Sequence, residues 1–357
     1  MKKRVVLGMS GGLDSSVAAH LLQKQGFEVI GITLEFSDAS RCCSKDDICD
    51  ARNVARKLRI EHYTIDVKKL FKKQIIDYFV KEYSQGRTPN PCAVCNRKVK
   101  FKTLYDKVKK LKADFIATGH YARTLKKNAI YYLKKGKDEK KDQSYFLAQI
   151  KKNWLSKIFF PIGEYTKIEV SKIAKQANLP FFKKKESQEV CFIEDNDYRK
   201  FLLKRIPSLV KPGKIINKQG NILGEHKGLF FYTIGQRKGI QVNINKPLYV
   251  ISINPKKNTI TVGEEDDVFS SEFIAENLNW LISPDKILRK VSVRIRSQHK
   301  PQNASIKCEG NKVLVKFNKP QMAITPGQLA VFYKNDIVLG SGWIADTPLN
   351  PLLLEGT

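Results

Sequence analysis

The sequence lacks the two features that would direct it into or across a membrane. No apolar run approaches the roughly 18 residues that a membrane span needs, so we expect no membrane partner. The apolar stretch after Lys2 and Lys3 is short and continues into a glycine-rich loop, which indicates a first strand and not a signal peptide. We therefore expect a cytoplasmic protein.

The sequence also lacks the even number of cysteines that is typical of disulfide-stabilised secreted domains. The seven cysteines are an odd number, and in a chain without an export signal they indicate thiols used chemically. They are Cys42, Cys43, Cys49, Cys92, Cys95, Cys191 and Cys308.

Acidic residues are scarce relative to basic ones. The 357 residues contain 65 Lys and Arg but only 35 Asp and Glu, a net charge of +30. Such an excess favours a polyanionic partner, with nucleic acid as the first choice. Neutral drift in a Lys-rich organism is the alternative for part of the excess, since clusters such as Lys183–Lys185 are frequent. A hydrophobic content of 42% excludes a disordered chain.

The first half alternates strand and helix patterns, which predicts a doubly wound parallel α/β sheet. We predict strands at residues 4–9, 28–36, 61–67 and 113–118, and helices at 16–24, 46–58, 71–83 and across Phe101, Leu104, Val108 and Leu111.

Helical periodicity stops after about Pro207, and short alternating runs dominate from about Phe273. Residues 291–295, 312–317 and 329–333 are examples, and turn residues separate them. This spacing predicts a small C-terminal β-barrel. We therefore expect a catalytic domain at 1–206, a small central domain at 207–272 and a barrel domain at 273–357.

Ser10-Gly11-Gly12-Leu13-Asp14-Ser15-Ser16 follows the first strand and opens a helix. Its glycines bring backbone N–H groups and a helix N-terminus to an anion, and Ser10, Ser15 and Ser16 offer hydroxyl donors. Asp14 suits Mg²⁺ on the leaving phosphates. A serine-capped glycine turn is the alternative, but it explains fewer of these residues. The loop resembles the PP-loop of N-type ATP pyrophosphatases, which use ATP to adenylate a carbonyl oxygen.

Cys92 and Cys95 form a CxxC pair, and Pro89 and Pro91 predict that they lie in a non-helical loop. Such a pair serves as a redox dithiol or half of a metal site, or arises by coincidence. No second CxxC completes a zinc site. Cys191 is the distant candidate partner, with nearby lysines favouring a thiolate; a buried, inert Cys191 is the alternative.

Seven motifs in order along nearly the whole chain resemble the tRNA-specific 2-thiouridylase (MnmA) family. They are GMSGGLDSSV, GRTPNPCAVCN, ATGHYAR, KDQSYFLAQ, ESQEVCFI, GLFFYTIGQRKG and TPGQLAVFY. The resemblance implies ATP-dependent thiolation of the wobble uridine in the tRNAs for Lys, Glu and Gln. It also implies a cysteine desulfurase or sulfur-relay protein as sulfur donor.

The resemblance assigns roles residue by residue. It implies Cys95 as nucleophile and Cys191 as persulfide carrier, with a Cys95–Cys191 disulfide formed in turnover. The ATP-binding residues would be Gly8, Met9, Ser10, Gly11, Gly12, Leu13, Asp14, Ser15, Leu34 and Gly119. The target base would meet Asn90, Pro91 and Cys92, and the rest of the tRNA would meet His120, Lys141, Asp142, Gln143, Arg294, Ile295 and Gln328.

This chain has Cys92 where many family members have Asp, so a carboxylate role in activating the uridine is not expected here. Cys92, Cys95 and Cys191 would instead suit three irons of a 4Fe–4S cluster that binds sulfide at the fourth. Persulfide and cluster chemistry both remain open.

Several polar or thiol residues have structural alternatives. His120, at a strand end, is more often structural without the resemblance, and Lys141–Gln143 would read as a solvated turn. Residues 235–239 form a basic, glycine-flanked loop suited to a phosphate backbone. Cys42, Cys43 and Cys49 are either a local metal site with an Asp or incidental thiols beside a helix capped by Ser44. We expect Cys308 to be packed in the barrel.

Two other function classes stay open at this point. An amidating PP-loop ligase would need an ammonia source, and no glutaminase segment is recognisable. A noncatalytic RNA-binding protein would not need Asp14 or Cys95.

Overall fold

The first region is built on a parallel sheet. The computed structural model describes residues 2–36, 45–180, 190–193, 195–242, 246–283 and 290–346. Its first strands are β1 (Arg4–Gly8), β2 (Glu28–Glu35), β3 (Glu61–Asp66), β4 (Phe115–Thr118), β5 (Ala122–Lys127), β6 (Ile130–Lys135) and β7 (Ile158–Phe159). The sheet order is β3-β2-β1-β4-β7, with every pairing parallel. The predicted doubly wound sheet is confirmed.

Helices cover both faces of this sheet, which is why its central strands are apolar throughout; Val5, Val6 and Leu7 are fully buried. A π-helical turn at Lys72–Ile76 joins α3 to α4, and another at Asn96–Lys100 joins α5 to α6. The helices are α1 (Leu13–Lys24), α2 (Lys45–Leu58), α3 (Lys68–Phe71), α4 (Asp77–Ser84), α5 (Pro91–Cys95), α6 (Phe101–Lys110), α7 (Ser144–Leu147), α8 (Lys167–Gln176) and α9 (Tyr198–Arg205).

The strand order reverses direction at β1. From β1 the chain moves outward to β2 and β3, and it then returns to pair β4 with the other side of β1. Helices leave opposite faces at such a reversal, so a crevice opens at the carboxyl ends of β1 and β4. The glycine-rich loop and Gly119 both lie at this edge, because they follow β1 and β4 directly.

A smaller sheet follows in the order β10-β11-β8-β9, around a core that includes Ile215, Val250 and Ile260. Its strands are β8 (Gly213–Ile216), β9 (Ile222–His226), β10 (Tyr249–Asn254) and β11 (Thr259–Gly263).

The last region is the predicted antiparallel barrel, and it is confirmed. Six strands run in the order β12-β15-β14-β13-β16-β17, and β12 pairs with β17 to close the barrel. They are β12 (Phe269–Trp280), β13 (Lys290–Arg294), β14 (Gln302–Glu309), β15 (Lys312–Met322), β16 (Leu329–Lys334) and β17 (Ile337–Asp346). Since β12 begins at Phe269, alternation starts before the predicted boundary at 273; the boundaries themselves stay predictions.

The β5–β6 hairpin connects the first region to the barrel. Strand β6 pairs with β17 through Leu133 and Val338, which extends the barrel sheet. Asp336, in the turn before β17, forms ion pairs with Arg123 at 2.9 Å and with Lys134 at 3.0 Å. Within the described residues, no helix combines the length and apolar character needed to cross a bilayer.

Candidate active site

The glycine-rich loop turns sharply between β1 and α1. Gly11 has a φ of +73°, and a Cβ there would lie 2.2 Å from the carbonyl oxygen of Asp47 in α2. Glycine is required because other residues rarely adopt this backbone conformation and because there is no space for a Cβ. The loop, with the N-terminus of α1 behind it, forms a backbone cradle for an anion.

The serines of this loop divide between support and exposure. Ser15 Oγ donates to the carbonyl oxygen of Gly12 at 3.0 Å and accepts from Ser10 N at 3.2 Å. Ser16 Oγ donates to the same carbonyl at 2.9 Å, and both serines are buried. Ser10 is exposed. The loop thus uses two hydroxyls to hold its own shape and presents the third.

Asp14 has a partner that the sequence did not indicate. Its carboxylate accepts from Lys167 Nζ at 2.8 and 2.9 Å and from the Tyr121 hydroxyl at 2.8 Å. Lys167 begins α8, where Thr166 and Glu169 form a capping box. That T-x-x-E pattern was the available signal, because it predicts a helix N-terminus at Lys167. Both carboxylate oxygens are engaged in this arrangement, and the Mg²⁺ role of Asp14 stays a prediction.

Gly119, directly after β4, packs against the backbone of the glycine-rich loop. A Cβ on Gly119 would lie 2.8 Å from Ser15 N and 2.9 Å from the Asp14 carbonyl carbon, both backbone atoms. Leu34, near the end of β2, is buried in the core. Their contact with a nucleotide stays a prediction.

The CxxC pair lies in a helix, so the predicted non-helical loop is wrong. Asn90 caps α5 by accepting from Ala93 N at 3.2 Å, and Pro91 is its first residue. Proline is tolerated there because its missing N–H has no partner in the first turn. Cys92 and Cys95, three residues apart, share one face of the helix.

Cys92, Cys95 and Cys191 all line one cavity of about 410 Å³, which we call the sulfur pocket. Cys95 is buried, while Cys92 and Cys191 are half-buried. Lys100 and Lys141 also line the cavity and supply positive charge that favours thiolates. Residues 183–185, which were expected to do so, lie outside the described residues. The other lining residues include His120, Asp142, Gln143 and Arg294.

The sulfur pocket does not present a ready ligand set for a metal. Among the described residues, no three His, Cys, Asp or Glu side chains come close enough to hold a metal ion. The three cysteines are within that part of the chain. This finding concerns a single metal ion, and a 4Fe–4S cluster on these cysteines stays a prediction.

His120 lines the pocket at the end of β4. Its Nδ1 lies 2.8 Å from Thr118 Oγ1, and its ring stacks on Phe101. Burial, aided by the charge of Lys100, lowers the pKa of His120 to about 3. The imidazole is therefore neutral at physiological pH.

Asp142 and Arg294 form a buried ion pair across the pocket. Asp142 Oδ2 accepts from Arg294 Nη1 at 3.1 Å, and their side chains are 4% and 15% exposed. Ser144 and Gly136 also donate to Asp142. The solvated-turn alternative for Lys141–Gln143 is therefore wrong at Asp142, because the pair joins the first region to the barrel.

Of the other predicted tRNA-contacting residues, Gln328 also connects two regions. Gln328 Nε2 donates to the carbonyl oxygens of Thr88 and Pro89 at 3.0 and 3.2 Å. Gln143 Oε1 accepts from Tyr121 N at 2.9 Å. The Ile295 side chain is buried in the barrel core. Contact of these residues with tRNA stays a prediction.

The remaining cysteines lie away from the pocket. Cys49 is exposed on α2, whereas Cys42, Cys43 and Ser44 are outside the described residues. Cys308 is exposed, so its predicted packing is wrong. It shares a strand face with the buried Ala304 and Ile306 and is the last residue on that face before the hairpin turn.

Three family models match the chain consecutively. They describe a tRNA methyl transferase HUP domain over residues 3–195, a tRNA methyl transferase PRC-barrel domain over 199–264, and an aminomethyltransferase beta-barrel domain over 270–344.

Curated relatives match over nearly their full length. The tRNA-specific 2-thiouridylase MnmA 2 of Clostridium tetani is 46% identical, with 96% of this chain and 99% of the relative covered. The MnmA 2 of Thermoanaerobacter sp. is 48% identical over 96% and 98%. A solved U34-tRNA thiolase, NcsA of Methanococcus maripaludis with its 4Fe-4S cluster, is 22% identical over 58% of this chain and 68% of that chain. Its TM-score of 0.37 supports no conclusion here. On the curated relatives, the chain belongs to the tRNA-specific 2-thiouridylase MnmA family.

Proposed function

We propose that the protein uses ATP to 2-thiolate the wobble uridine of tRNAs of the Lys, Glu and Gln type. The main structural support for this proposal is the position of the turn after β4. Gly119 abuts the backbone of the glycine-rich loop, while its neighbour His120 lines the sulfur pocket. A base in the pocket would therefore lie next to the phosphates of ATP. Family membership supports the same activity, catalysed by the 1–206 domain with tRNA contacts from 207–272 and 273–357.

The first step activates the base. Uridine O2 attacks the α-phosphorus of ATP, and the bond to the β-phosphate bridging oxygen breaks to release pyrophosphate. The residues of Gly8–Ser15, with Leu34 and Gly119, bind the nucleotide. Lys167 moves from Asp14 to the phosphates and carries the positive charge that the loop itself lacks. Mg²⁺, which would accompany ATP, would neutralise phosphate charge, and the Asp14 carboxylate would be free to hold it once Lys167 has moved.

The second step delivers sulfur. Cys191 carries a persulfide from a cysteine desulfurase or sulfur-relay protein. The Cys95 thiolate attacks the Cys191 sulfur, forms a Cys95–Cys191 disulfide and releases hydrosulfide. Hydrosulfide attacks C2 of the activated uridine, loses its proton to solvent and displaces AMP. A two-electron thiol reductant then restores both cysteines.

The sulfur pocket holds the base between Cys92 and the polar groups opposite. Asn90 and Pro91 lie beside Cys92 at the start of α5, and His120 offers an uncharged ring. We propose that the tRNA-contacting residues are Lys141, Asp142, Gln143, Arg294, Ile295 and Gln328. Asp142 and Arg294 act through their ion pair, which holds the shape of the sulfur pocket's wall.

The defining experiment supplies the protein with ATP, Mg²⁺, cysteine, a cysteine desulfurase and tRNA transcripts in the cytoplasmic redox range. We expect 2-thiouridine by mass spectrometry, with pyrophosphate formed in step. A transcript with cytidine at the wobble position is the control and should remain unmodified. ATP-dependent amination of a small molecule without tRNA would contradict the proposal and favour a ligase.

A cluster-based route is the alternative way of delivering sulfur. Three cysteines of this chain line the pocket, which keeps the alternative testable. Iron and acid-labile sulfide would be measured in anaerobically purified protein and in Cys92→Asp. A colourless, iron-free protein that thiolates tRNA would exclude the cluster.

A further inference from the structure

Tyr121 follows the turn that brings the glycine-rich loop next to the sulfur pocket, and it bonds to both sides. Its hydroxyl donates to Asp14 Oδ1 in the loop at 2.8 Å. Its backbone N–H donates to Gln143 Oε1 at 2.9 Å, and its carbonyl oxygen accepts from Gln143 N at 2.9 Å. Gln143 lines the sulfur pocket. One residue therefore connects the two sites through its own hydrogen bonds.

The Tyr121 side chain has little freedom to absorb a displacement at either end. It is 3% exposed and belongs to the apolar core that includes Val17 of α1 and Val170 of α8. On its backbone side, a Cβ on Gly136 would lie 2.8 Å from the Tyr121 carbonyl oxygen. Because close-packed interiors transmit strain, a shift of Asp14 would be passed on to the wall of the sulfur pocket.

The bond between Tyr121 and Asp14 gains importance when ATP binds. In the structure, Asp14 Oδ1 accepts from both the Tyr121 hydroxyl and Lys167 Nζ, each at 2.8 Å. The proposed function moves Lys167 to the phosphates, while Tyr121 stays on the carboxylate. A carboxylate that has lost its lysine keeps its full charge, and a charged acceptor strengthens the hydrogen bond from the phenol.

The start of α8 is tied to the same wall by a second route. Asp138 Oδ2 accepts from Lys167 N at 2.9 Å. Asp138 Oδ1 accepts from the N–H groups of Lys140 and Lys141 at 3.0 and 3.3 Å, and both lysines line the sulfur pocket. A displacement of Lys167 would therefore also reach this wall without passing through Tyr121.

We propose that Tyr121 is a positioning residue that makes ATP binding at the glycine-rich loop and tRNA binding at the sulfur pocket mutually dependent. This inference rests on the proposed function, because it needs ATP on the loop and the target uridine in the pocket. A tRNA that contacts Gln143 would fix Tyr121, and Tyr121 would hold Asp14 once Lys167 has left. Coupling between two binding sites is reciprocal, so each ligand would raise the affinity for the other by the same factor.

The test measures this coupling in wild type, Tyr121→Phe and Tyr63→Phe. α,β-Methylene-ATP replaces ATP, because its bond between the α- and β-phosphorus is not cleaved and no adenylate forms. Dissociation constants would be measured for tRNA with and without saturating analogue, and for the analogue with and without saturating tRNA. Tyr63→Phe is the matched control, since Tyr63 is exposed on β3 and its hydroxyl also donates to a carboxylate, that of Glu61.

In the wild type we expect each ligand to tighten binding of the other about tenfold. Tyr121→Phe should reduce this factor to about threefold or less, with the remainder passing through Asp138. Its affinity for each ligand alone should stay within about twofold of the wild-type value, because the phenyl ring still fills the core. Tyr63→Phe should keep the tenfold coupling.

Three results would overturn the inference. They are wild-type coupling in Tyr121→Phe, no coupling in the wild type, and a loss of affinity for each ligand alone with the coupling unchanged, which would indicate a merely structural role. The proposed function is tested separately by thiolation of intact tRNA with the wild type, since failure there would contradict that function instead.

Discussion

The glycine-rich loop and the sulfur pocket meet at Gly119–His120, yet they are constructed differently. The loop is one continuous segment whose shape comes from glycine conformations and from Ser15 and Ser16 bonding to Gly12. The pocket collects side chains from segments as distant as Cys92, Cys191 and Arg294. Local backbone therefore defines the phosphate site, whereas tertiary contacts define the sulfur site.

This difference implies that the two half-reactions are separable. A change in the loop should impair adenylation and leave the thiols intact, and a change in the pocket should do the reverse. The three predictions below are ordered by the size of the expected effect.

Cys191→Ser should abolish thiolation, by about 10³-fold or more, because no persulfide carrier remains. Binding of tRNA should change less than about twofold, since a hydroxyl replaces a thiol of similar size. Thiolated nucleoside would be quantified by mass spectrometry and tRNA binding by filter retention. Cys308→Ser is the matched control, because Cys308 is exposed and outside the pocket. Normal thiolation by Cys191→Ser would refute the role of this cysteine.

Lys167→Ala should slow pyrophosphate release about 10- to 100-fold, because a charge-assisted contact with phosphate is lost. Sulfur loading of Cys191, measured by alkylation and mass spectrometry, should not change. Lys175→Ala removes a charge from the exposed part of the same helix and should have little effect. If Lys167→Ala adenylates at the wild-type rate, the Lys167–Asp14 pair has no catalytic role.

His120→Gln should reduce the acid sensitivity of folding. The pKa of His120 falls from 6.5 to about 3 in the folded protein, so below pH 6.5 the unfolded chain binds a proton that the folded chain does not. The contribution of neutral His120 to the free energy of unfolding is therefore fully present above pH 6.5 and is lost as the pH falls toward 3. Between pH 6.5 and 5 the difference between variant and wild type should be about 1–2 kcal/mol in urea unfolding.

The other four histidines also have lowered pKa values, so both proteins should lose stability in acid. The variant should lose less. Parallel pH profiles for the two proteins would contradict the inference that His120 stays neutral in the pocket.

The sequence predicted the features that depend on a local pattern of residues. Apolar runs gave the strands of the parallel sheet, and Phe101, Leu104 and Val108 gave the buried face of α6. The glycine pattern located the phosphate loop because its conformation needs no distant partner. The family resemblance supplied Cys92, Cys95 and Cys191, which the fold then brings to one cavity.

Contacts between distant residues were not predictable in the same way. Lys167 is 153 positions from Asp14, and nothing in either local pattern specifies the other. Asp142 resembled a solvated turn because its partner, Arg294, lies in the barrel. The prediction at Pro91 was wrong because proline breaks the interior of a helix but is favoured at its first position. Here the Asn90 side chain caps the helix and places Pro91 at that first position.

The β5–β6 hairpin sets an order of events during synthesis. Its partner strand, Ile337–Asp346, is also the strand that closes the barrel against β12. Both edges stay open on the ribosome until these residues emerge, although the hairpin was translated about 200 residues earlier. A chain truncated before Ile337 would expose the unpaired edges of β6, β12 and β16, and such edges template aggregation. Quality control of this enzyme would therefore depend on a ten-residue strand that contains none of its thiols.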